Sequence, residues 1–118
     1  MRHCKKGRKF GRKRGERKLF LKGLITNLIL NKKIETTDAR AKELKIKVEK
    51  LVTLAKKQTT SSHRLLISRI GNQAARELFY NLAPQYQNRQ GGYLRIIKSP
   101  RRRKRDGAPL AIIEFISK

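Results

Sequence analysis

The sequence has few acidic residues, one cysteine and no tryptophan. Asp and Glu number 8 among 118 residues, against 32 Lys and Arg, so the formal net charge at pH 7 is +24. Because Cys4 is the only cysteine, no disulfide can form within the chain, which excludes a secreted disulfide scaffold. A chain this basic repels itself when compact and attracts polyanions. This composition argues against an ordinary enzyme with a small neutral substrate.

Patterns typical of membrane proteins, metal sites and enzymes are also missing. Residues 19–30 are mostly apolar, but they are too few to span a bilayer, and a lysine and an asparagine interrupt them. Cys4, His3 and His63 fall short of the four ligands that a structural zinc site usually has. The scattered carboxylates provide no pair for two-metal chemistry. We therefore expect no membrane, metal, cofactor or small-molecule substrate, and no enzymatic activity.

The positive charge is concentrated in two segments. Residues 1–18 contain ten Lys or Arg with a single acidic residue, and residues 98–105 contain six with none. Neither segment has the apolar content to form a core. The sequence therefore predicts a basic N-terminal arm over residues 1–18 and a single domain over residues 19–118, with a basic loop at about residues 99–108.

Apolar residues at helical spacing predict two helices in the first half of the domain. The first covers residues 19–31. The second begins after Thr37, a favourable N-cap residue, and continues to about Lys57. Between them, Ile34 and the threonines that follow it predict a short extended segment. The residues expected on the buried face of the second helix are Ala41, Leu44, Val48, Leu51 and Ala55.

Two shorter helices are predicted after a polar break. Ser61 or Ser62 is expected to cap the first, which ends before Gly71. Asn72 is expected to cap the second, and Pro84 to close it. The residues expected in the helical core are Ala75, Leu78, Phe79 and Leu82, completed by Tyr80 and Tyr86.

The pattern changes to alternation after a pair of glycines. Residues 93–98 and residues 109–117 are rich in apolar and β-branched side chains, which predicts two strands. On the first strand, the expected faces carry Leu94 with Ile96 on one side, and Tyr93 with Arg95 and Ile97 on the other. We therefore predict an α+β fold in which helices pack on one face of a small antiparallel sheet.

Two basic segments on one small domain favour nucleic-acid binding. Compaction of so many like charges costs free energy unless a polyanion neutralises them, and nucleic acid does so while releasing its own counterions. Phe10 and Tyr93 are the candidate stacking residues. The candidate phosphate-binding residues of the two segments include Lys9, Lys13, Arg14 and Lys18, and Arg101, Arg102, Arg103, Lys104 and Arg105.

The kind of nucleic acid remains open at this point. No zinc-finger, recognition-helix or RNA-recognition-motif pattern is found. Long basic extensions suit penetration between the helices of a compact RNA, which favours RNA. The alternative is a histone-like or architectural DNA-binding protein.

Several short motifs occur in the order and spacing typical of one family and together cover nearly the whole chain. They are Met1-Arg2-His3 with Gly7-Arg8, Ile34-Glu35-Thr36-Thr37 followed by Ala41-Lys42-Glu43-Leu44, Leu54-Ala55-Lys56, Leu78-Phe79, Gly91-Gly92-Tyr93 with Arg95-Ile96, and Ala108-Pro109 leading into Ile113-Glu114. On these residues, the chain resembles the bacterial large-subunit ribosomal protein seventeen family.

The resemblance implies a non-enzymatic constituent of the large ribosomal subunit that binds 23S ribosomal RNA and stabilises its fold. It implies neighbouring large-subunit proteins as partners, including large-subunit protein thirty-two, and a cytoplasmic ribosome, with an organellar ribosome as the alternative. The RNA contacts that it implies are Arg2, His3, Lys5, Lys6, Arg8, Arg12 and Arg17, with Tyr93, Arg95 and Lys98 at the sheet.

Overall fold

The computed structural model describes His3 and residues 7–116 of the chain. The predictions for Arg2, Lys5 and Lys6 lie outside the described residues. The elements are α1 (Arg14–Asn31), β1 (Lys33–Thr37), α2 (Asp38–Ala55), α3 (Thr60–Ile70), α4 (Asn72–Arg76), a π-helical turn (Glu77–Leu82), a 3₁₀ helix (Ala83–Tyr86), β2 (Leu94–Arg102) and β3 (Pro109–Phe115).

The three strands form an antiparallel sheet in the order β1-β3-β2, so β3 is the central strand. Ile34 of β1 and Ile96 of β2 both pair with Ile113 of β3. These three side chains belong to or pack against the core, with Ile113 fully buried. The helices therefore cover this face of the sheet, which confirms the predicted α+β fold.

The core joins every helix to the sheet. All five positions predicted for the buried face of α2 are buried, and Leu44 and Val48 have no exposed surface. Other large side chains with at most 2% exposure are Leu28, Ile29, Val52, Leu66, Leu78, Leu82, Leu94 and Ile113. Removal of this much apolar surface from water is the main favourable contribution to folding. It holds together a chain whose charges oppose compaction.

The first helix begins earlier than the sequence predicted, at Arg14 rather than at residue 19. Arg14, Arg17 and Lys18 therefore lie on α1 and not in an extended arm. Arginine and lysine are good helix formers, and Glu16 in the first turn suits the positive helix end. The predicted boundary at residue 19 follows the start of the apolar spacing and the end of the charge run, and neither feature marks a helix start.

Two of the predicted caps are confirmed and two are wrong. The Thr37 hydroxyl accepts a hydrogen bond from the backbone N–H of Arg40, and α3 ends at Gly71 with a φ of 89°. The N-cap of α3 is Thr59, because Thr59 and Ser62 exchange reciprocal hydrogen bonds of 3.1 and 3.2 Å. Gly71 rather than Asn72 is the N-cap of α4.

The prediction that Pro84 ends the helical segment is wrong. It lies in the first turn of the 3₁₀ helix, where a missing N–H costs no hydrogen bond, and helical backbone continues to Tyr86. Tyr86 belongs to the core as predicted, but Tyr80 is 59% exposed. Tyr80 lies two residues from both Leu78 and Leu82, so it faces away from the side that these leucines bury.

No helix in residues 7–116 combines the length and the apolar character that crossing a membrane requires.

We predict that Leu44→Ala lowers the free energy of unfolding by about 2–5 kcal/mol, because it leaves a cavity in the centre of the core. The measurement is urea unfolding followed by circular dichroism. Ile46→Ala is the matched control, since Ile46 lies on the same helix and is 55% exposed. Equal effects of the two substitutions would contradict the assignment of the core.

Candidate nucleic-acid interface

The described part of the N-terminal arm folds back on α1. The Arg12 guanidinium lies 3.8 Å from the centre of the Phe20 ring and donates a hydrogen bond of 3.0 Å to the carbonyl of Phe10. The ring of Phe10 meets Phe20 edge-on at 5.5 Å. A turn with positive φ at Phe10 and Gly11 makes this return possible. Phe10, a candidate stacking residue in the sequence, therefore packs on its own domain.

A second guanidinium reaches the same ring from α2. Arg40 lies 4.8 Å from the centre of Phe20, so one aromatic side chain supports two cations. Partial burial lowers the pKa of Arg40, and repulsion from Arg103 and Arg12 lowers it further. The arm, the first turn of α2 and the hairpin formed by β2 and β3 therefore place their charges close together.

The β2–β3 hairpin corrects the predicted loop at about residues 99–108. Strand β2 continues to Arg102, with a bulge between Lys98 and Arg102, and β3 begins at Pro109. Arg101 and Arg102 are thus on a strand. Arg102 pairs with Pro109, whereas the N–H of Arg101 lies in the bulge and donates to the Ser99 hydroxyl at 3.2 Å. Only residues 103–108 connect the strands.

The hairpin tip is held by its own charges and backbone. Arg103 and Asp106 form an ion pair, with Nε to Oδ1 at 2.9 Å. The N–H of Gly107 donates to the carbonyl of Arg103 at 2.9 Å, and the N–H of Arg103 donates to the carbonyl of Ala108 at 3.0 Å. Arg102 also donates to the Gly107 carbonyl. These hydrogen bonds give the tip a defined turn conformation, on which its arginine side chains are exposed.

A cleft of about 420 Å³ connects the three basic elements. Arg8 contributes from the arm, Lys42 from α2, and Pro109 from the base of the hairpin. The first turn of α2 opens into it, with Thr37 and Asp38 in its wall. Backbone N–H groups at a helix start and nearby cations are a favourable environment for phosphate.

Sequence reasoning missed Arg40 and Lys42. Both lie near the positive end of α2, where a cation is electrostatically unfavourable and an acidic residue is the usual choice. Two basic residues in the first turns of a predicted helix were therefore the sequence feature that could have marked Arg40 and Lys42 as functional candidates. Lys42 partly offsets it by an ion pair of 3.1 Å with Asp38.

The acidic residues are committed to other contacts. Glu35 pairs with Arg101, Glu114 with Arg95 and Lys33, and Asp106 with Arg103. Among the residues that the structure describes, no carboxylate forms an ion pair with any of the basic side chains in the range 7–18. The described basic side chains of the arm and of the first turns of α1 therefore have no carboxylate partner in an ion pair.

The predicted site residues thus fall into separate groups. The exposed ones are His3, Arg8, Lys9, Lys13, Arg14, Lys18, Arg95, Lys98, Arg101, Arg102, Arg103, Lys104 and Arg105, and the half-buried ones are Phe10, Arg12 and Arg17. Arg95 and Arg101 lie on the outer face of the sheet in ion pairs, away from the contacts with Phe20. The Phe20 contacts join the arm to α2, and the hairpin tip approaches them through the charge of Arg103 beside Arg40.

The structure does not support Tyr93 as a stacking residue. Its side chain is 3% exposed and packs 5.4 Å from the ring of Tyr86. Its hydroxyl accepts a hydrogen bond from Lys56 Nζ at 2.9 Å and donates to the carbonyl of Arg89. The preceding Gly92 has a φ of 60° and turns the chain, so Tyr93 enters the core before the strand alternation begins.

Comparison with known proteins decides the family. The family described as Ribosomal protein L17 matches residues 20–116. The chain belongs to the ribosomal protein L17 family. This is a family of structural ribosomal proteins rather than enzymes, which confirms the resemblance noted in the sequence and gives the chain a structural role in the ribosome.

Relatives match over nearly their whole length. The large ribosomal subunit protein bL17 of Thermomicrobium roseum is 46% identical over 118 residues, covering 99% of this chain and all of the relative. The bL17 protein of Persephonella marina is 48% identical, with 98% and 95% covered. That of Shouchella clausii is 44% identical, with 92% and 97% covered.

We predict that the hairpin tip keeps its conformation from pH 8 to pH 5 and loses it only under strong acid. The Arg103 hydrogen bond, followed by that from the N–H of Ala108, holds the pKa of Asp106 far below its ordinary value of about 3.9. A lowered carboxyl pKa stabilises the tip above the ordinary value, and this contribution is lost as pH falls through the folded-state pKa.

The measurement is the chemical shift of the Gly107 amide as a function of pH. Asp106→Asn is expected to give the altered shift at every pH, since it removes the charge of the pair. A transition of the wild-type shift with a midpoint at or above about pH 3.9 would contradict the pairing.

Proposed function

We propose that this chain is a constituent of the large ribosomal subunit that binds 23S ribosomal RNA and stabilises its fold. The observation that carries the proposal is the contact of Arg12 and Arg40 with Phe20, with Arg103 close enough to lower the pKa of Arg40. No carboxylate is paired with the described basic residues in the range 7–18. Ribosomal RNA supplies the phosphates that such a surface needs. The names of the bacterial relatives, which are large-subunit proteins, support the choice of subunit and a cytoplasmic ribosome.

The geometry of the basic surface favours binding to folded RNA over binding in the groove of duplex DNA. The basic surface is built from a folded-back arm, a helix start and a hairpin tip, which is an irregular shape rather than a helix able to lie in a major groove. In a compact RNA, phosphates of several strands lie at different positions and can contact an irregular protein surface. Guanidinium groups bind phosphate bidentately and are positioned here by an aromatic side chain.

The outer face of the sheet suits contact with protein instead of RNA. Ile97 is 45% exposed there and pairs with Ile112 of the central strand. Ion pairs of Arg95 with Glu114 and of Arg101 with Glu35 reduce the net charge of this face. We propose it as the contact for neighbouring large-subunit proteins, with large-subunit protein thirty-two as the expected one.

We predict that Arg12→Gln combined with Arg40→Gln weakens binding to large-subunit ribosomal RNA and reduces its dependence on salt. Each phosphate contact that is lost should lower the slope of log K against log salt by about 0.7 to 1. The measurement is a filter-binding titration at several salt concentrations.

The matched control combines Arg64→Gln with Arg69→Gln, two exposed arginines of α3 that remove the same charge. A loss equal to that of the first variant would refute a specific surface. Duplex DNA is titrated in parallel at matched salt. Equal affinity for DNA and RNA would favour the architectural DNA-binding alternative.

A further inference from the structure

A second cleft, of about 660 Å³, lies at the far end of α1 from the basic arm. Its wall combines Leu30 near the end of α1 with residues of α4 and the π-helical turn. Helix α1 has 18 residues, so its ends are about 27 Å apart. The volume is within the range of roughly 300–1,000 Å³ that is typical of ligand sites. The basic surface around Phe20 does not include this cleft.

The cleft contains the most exposed tyrosine of the described chain. Tyr80 is 59% exposed, whereas Tyr86 and Tyr93 are each 3% exposed. The ring of Tyr80 meets Phe79 at 5.0 Å and His63 at 5.6 Å, both in edge-to-face geometry. These contacts fix the ring from one side and leave most of its surface to solvent, as a stacking platform requires.

The remaining lining is mostly polar. Asn72, Gln73 and Asn81 bring three side-chain amides, and Arg76 brings a cation able to bind phosphate. The acidic member of the wall, Glu77, accepts a hydrogen bond of 2.7 Å from Asn81 and an ion pair of 3.4 Å from Lys32. Its charge is therefore balanced locally and does not repel an incoming phosphate.

We propose that this cleft binds an unpaired nucleotide of the ribosomal RNA, with its base stacked on Tyr80. The amides would hydrogen-bond the edge of the base, and Arg76 would bind its phosphate. Sequence-specific RNA recognition commonly uses unstacked bases held in this way. An adenine fits the amide groups best, because one side-chain amide can donate to N1 and accept from N6, which occupies the Watson–Crick edge of the unpaired base. The proposal rests on the RNA-binding function proposed above and adds a second, base-contacting site to it.

The polar wall favours RNA over a protein partner. A protein-binding pocket has an apolar, desolvated centre with few charges, whereas here Leu30 and Tyr80 are the only large apolar side chains in the lining. A nucleotide matches each part of the wall, since it has a π face, a polar edge and a charge. A protein segment at this cleft is therefore an alternative outcome of the test.

The experiment compares large subunits assembled with the wild-type chain, Tyr80→Phe or Tyr80→Ala. Dimethyl sulfate reports whether the Watson–Crick edge of each unpaired adenine is accessible. We expect one adenine to be protected with the wild type and with Tyr80→Phe, and to become reactive with Tyr80→Ala. Loss of one stacking contact corresponds to an equilibrium constant for base insertion that is about 5- to 150-fold lower. Photo-crosslinking from position 80 should join the chain to the same nucleotide.

Leu65→Ala is the matched control, because Leu65 is 45% exposed and does not line the cleft. Circular dichroism checks that each variant is folded. If Tyr80→Ala and the wild type give the same reactivity pattern while both bind RNA with the same salt slope, the nucleotide site is refuted and the RNA-binding function stands. A crosslink from position 80 to a protein also refutes it. Absence of RNA binding by the wild type would overturn both proposals.

Discussion

Electrostatic repulsion among guanidinium groups is the constraint on which this structure depends. Arg12 and Arg40 lie 3.8 and 4.8 Å from the centre of one phenylalanine ring, and Arg103 is close enough to lower the pKa of Arg40. Cation–π contacts offset part of this cost, by roughly 0.5–1 kcal/mol each at exposed sites. In the function proposed above, phosphate groups of the ribosomal RNA would offset the rest. Repulsion among these arginines would then oppose folding of the isolated chain and favour its assembly with RNA.

Most of the few acidic residues form ion pairs that position neighbouring structural elements. Asp106 shapes the hairpin tip, Glu35 and Glu114 lie on the outer face of the sheet, and Glu77 connects the π-helical turn to Lys32. None of these carboxylates pairs with the described part of the arm. Surface ion pairs contribute little to stability individually, so their main effect is to separate a nearly neutral face from a strongly basic one.

Much of the fold follows from local sequence. The spacing from Ala41 to Ala55 defines α2, Thr37 caps it, and Gly71 ends α3 because its positive φ suits glycine. The extent of the β2–β3 hairpin is harder to predict from sequence, because a run of arginines and lysines has the composition of a loop. Pairing of β2 with β3 overrides that composition up to Arg102, and β3 is in turn paired with β1, which is distant in sequence.

The site was less accessible to sequence reasoning. The two basic segments were visible as charge, but their approach to Arg40 depends on the packing of α2 against α1 and the sheet. Tyr93 and Tyr80 exchanged their predicted environments, because Gly92 turns Tyr93 inward and Tyr80 points away from the leucine face. Composition alone predicts neither the burial of Tyr93 nor the exposure of Tyr80. Each depends on the direction in which the local backbone points the side chain.

The most direct test of this account is the distance between the arm and the hairpin tip, measured by pulsed electron resonance. Spin labels are attached to Lys9→Cys and Lys104→Cys in a chain that also carries Cys4→Ser. For the isolated chain in low salt we expect a short mean distance with a broad distribution, because repulsion among the cations opposes the folded-back position of the arm. When ribosomal RNA is bound, we expect the distribution to become narrow. An unchanged broad distribution at saturating RNA would contradict the claim that phosphates hold the two basic segments together.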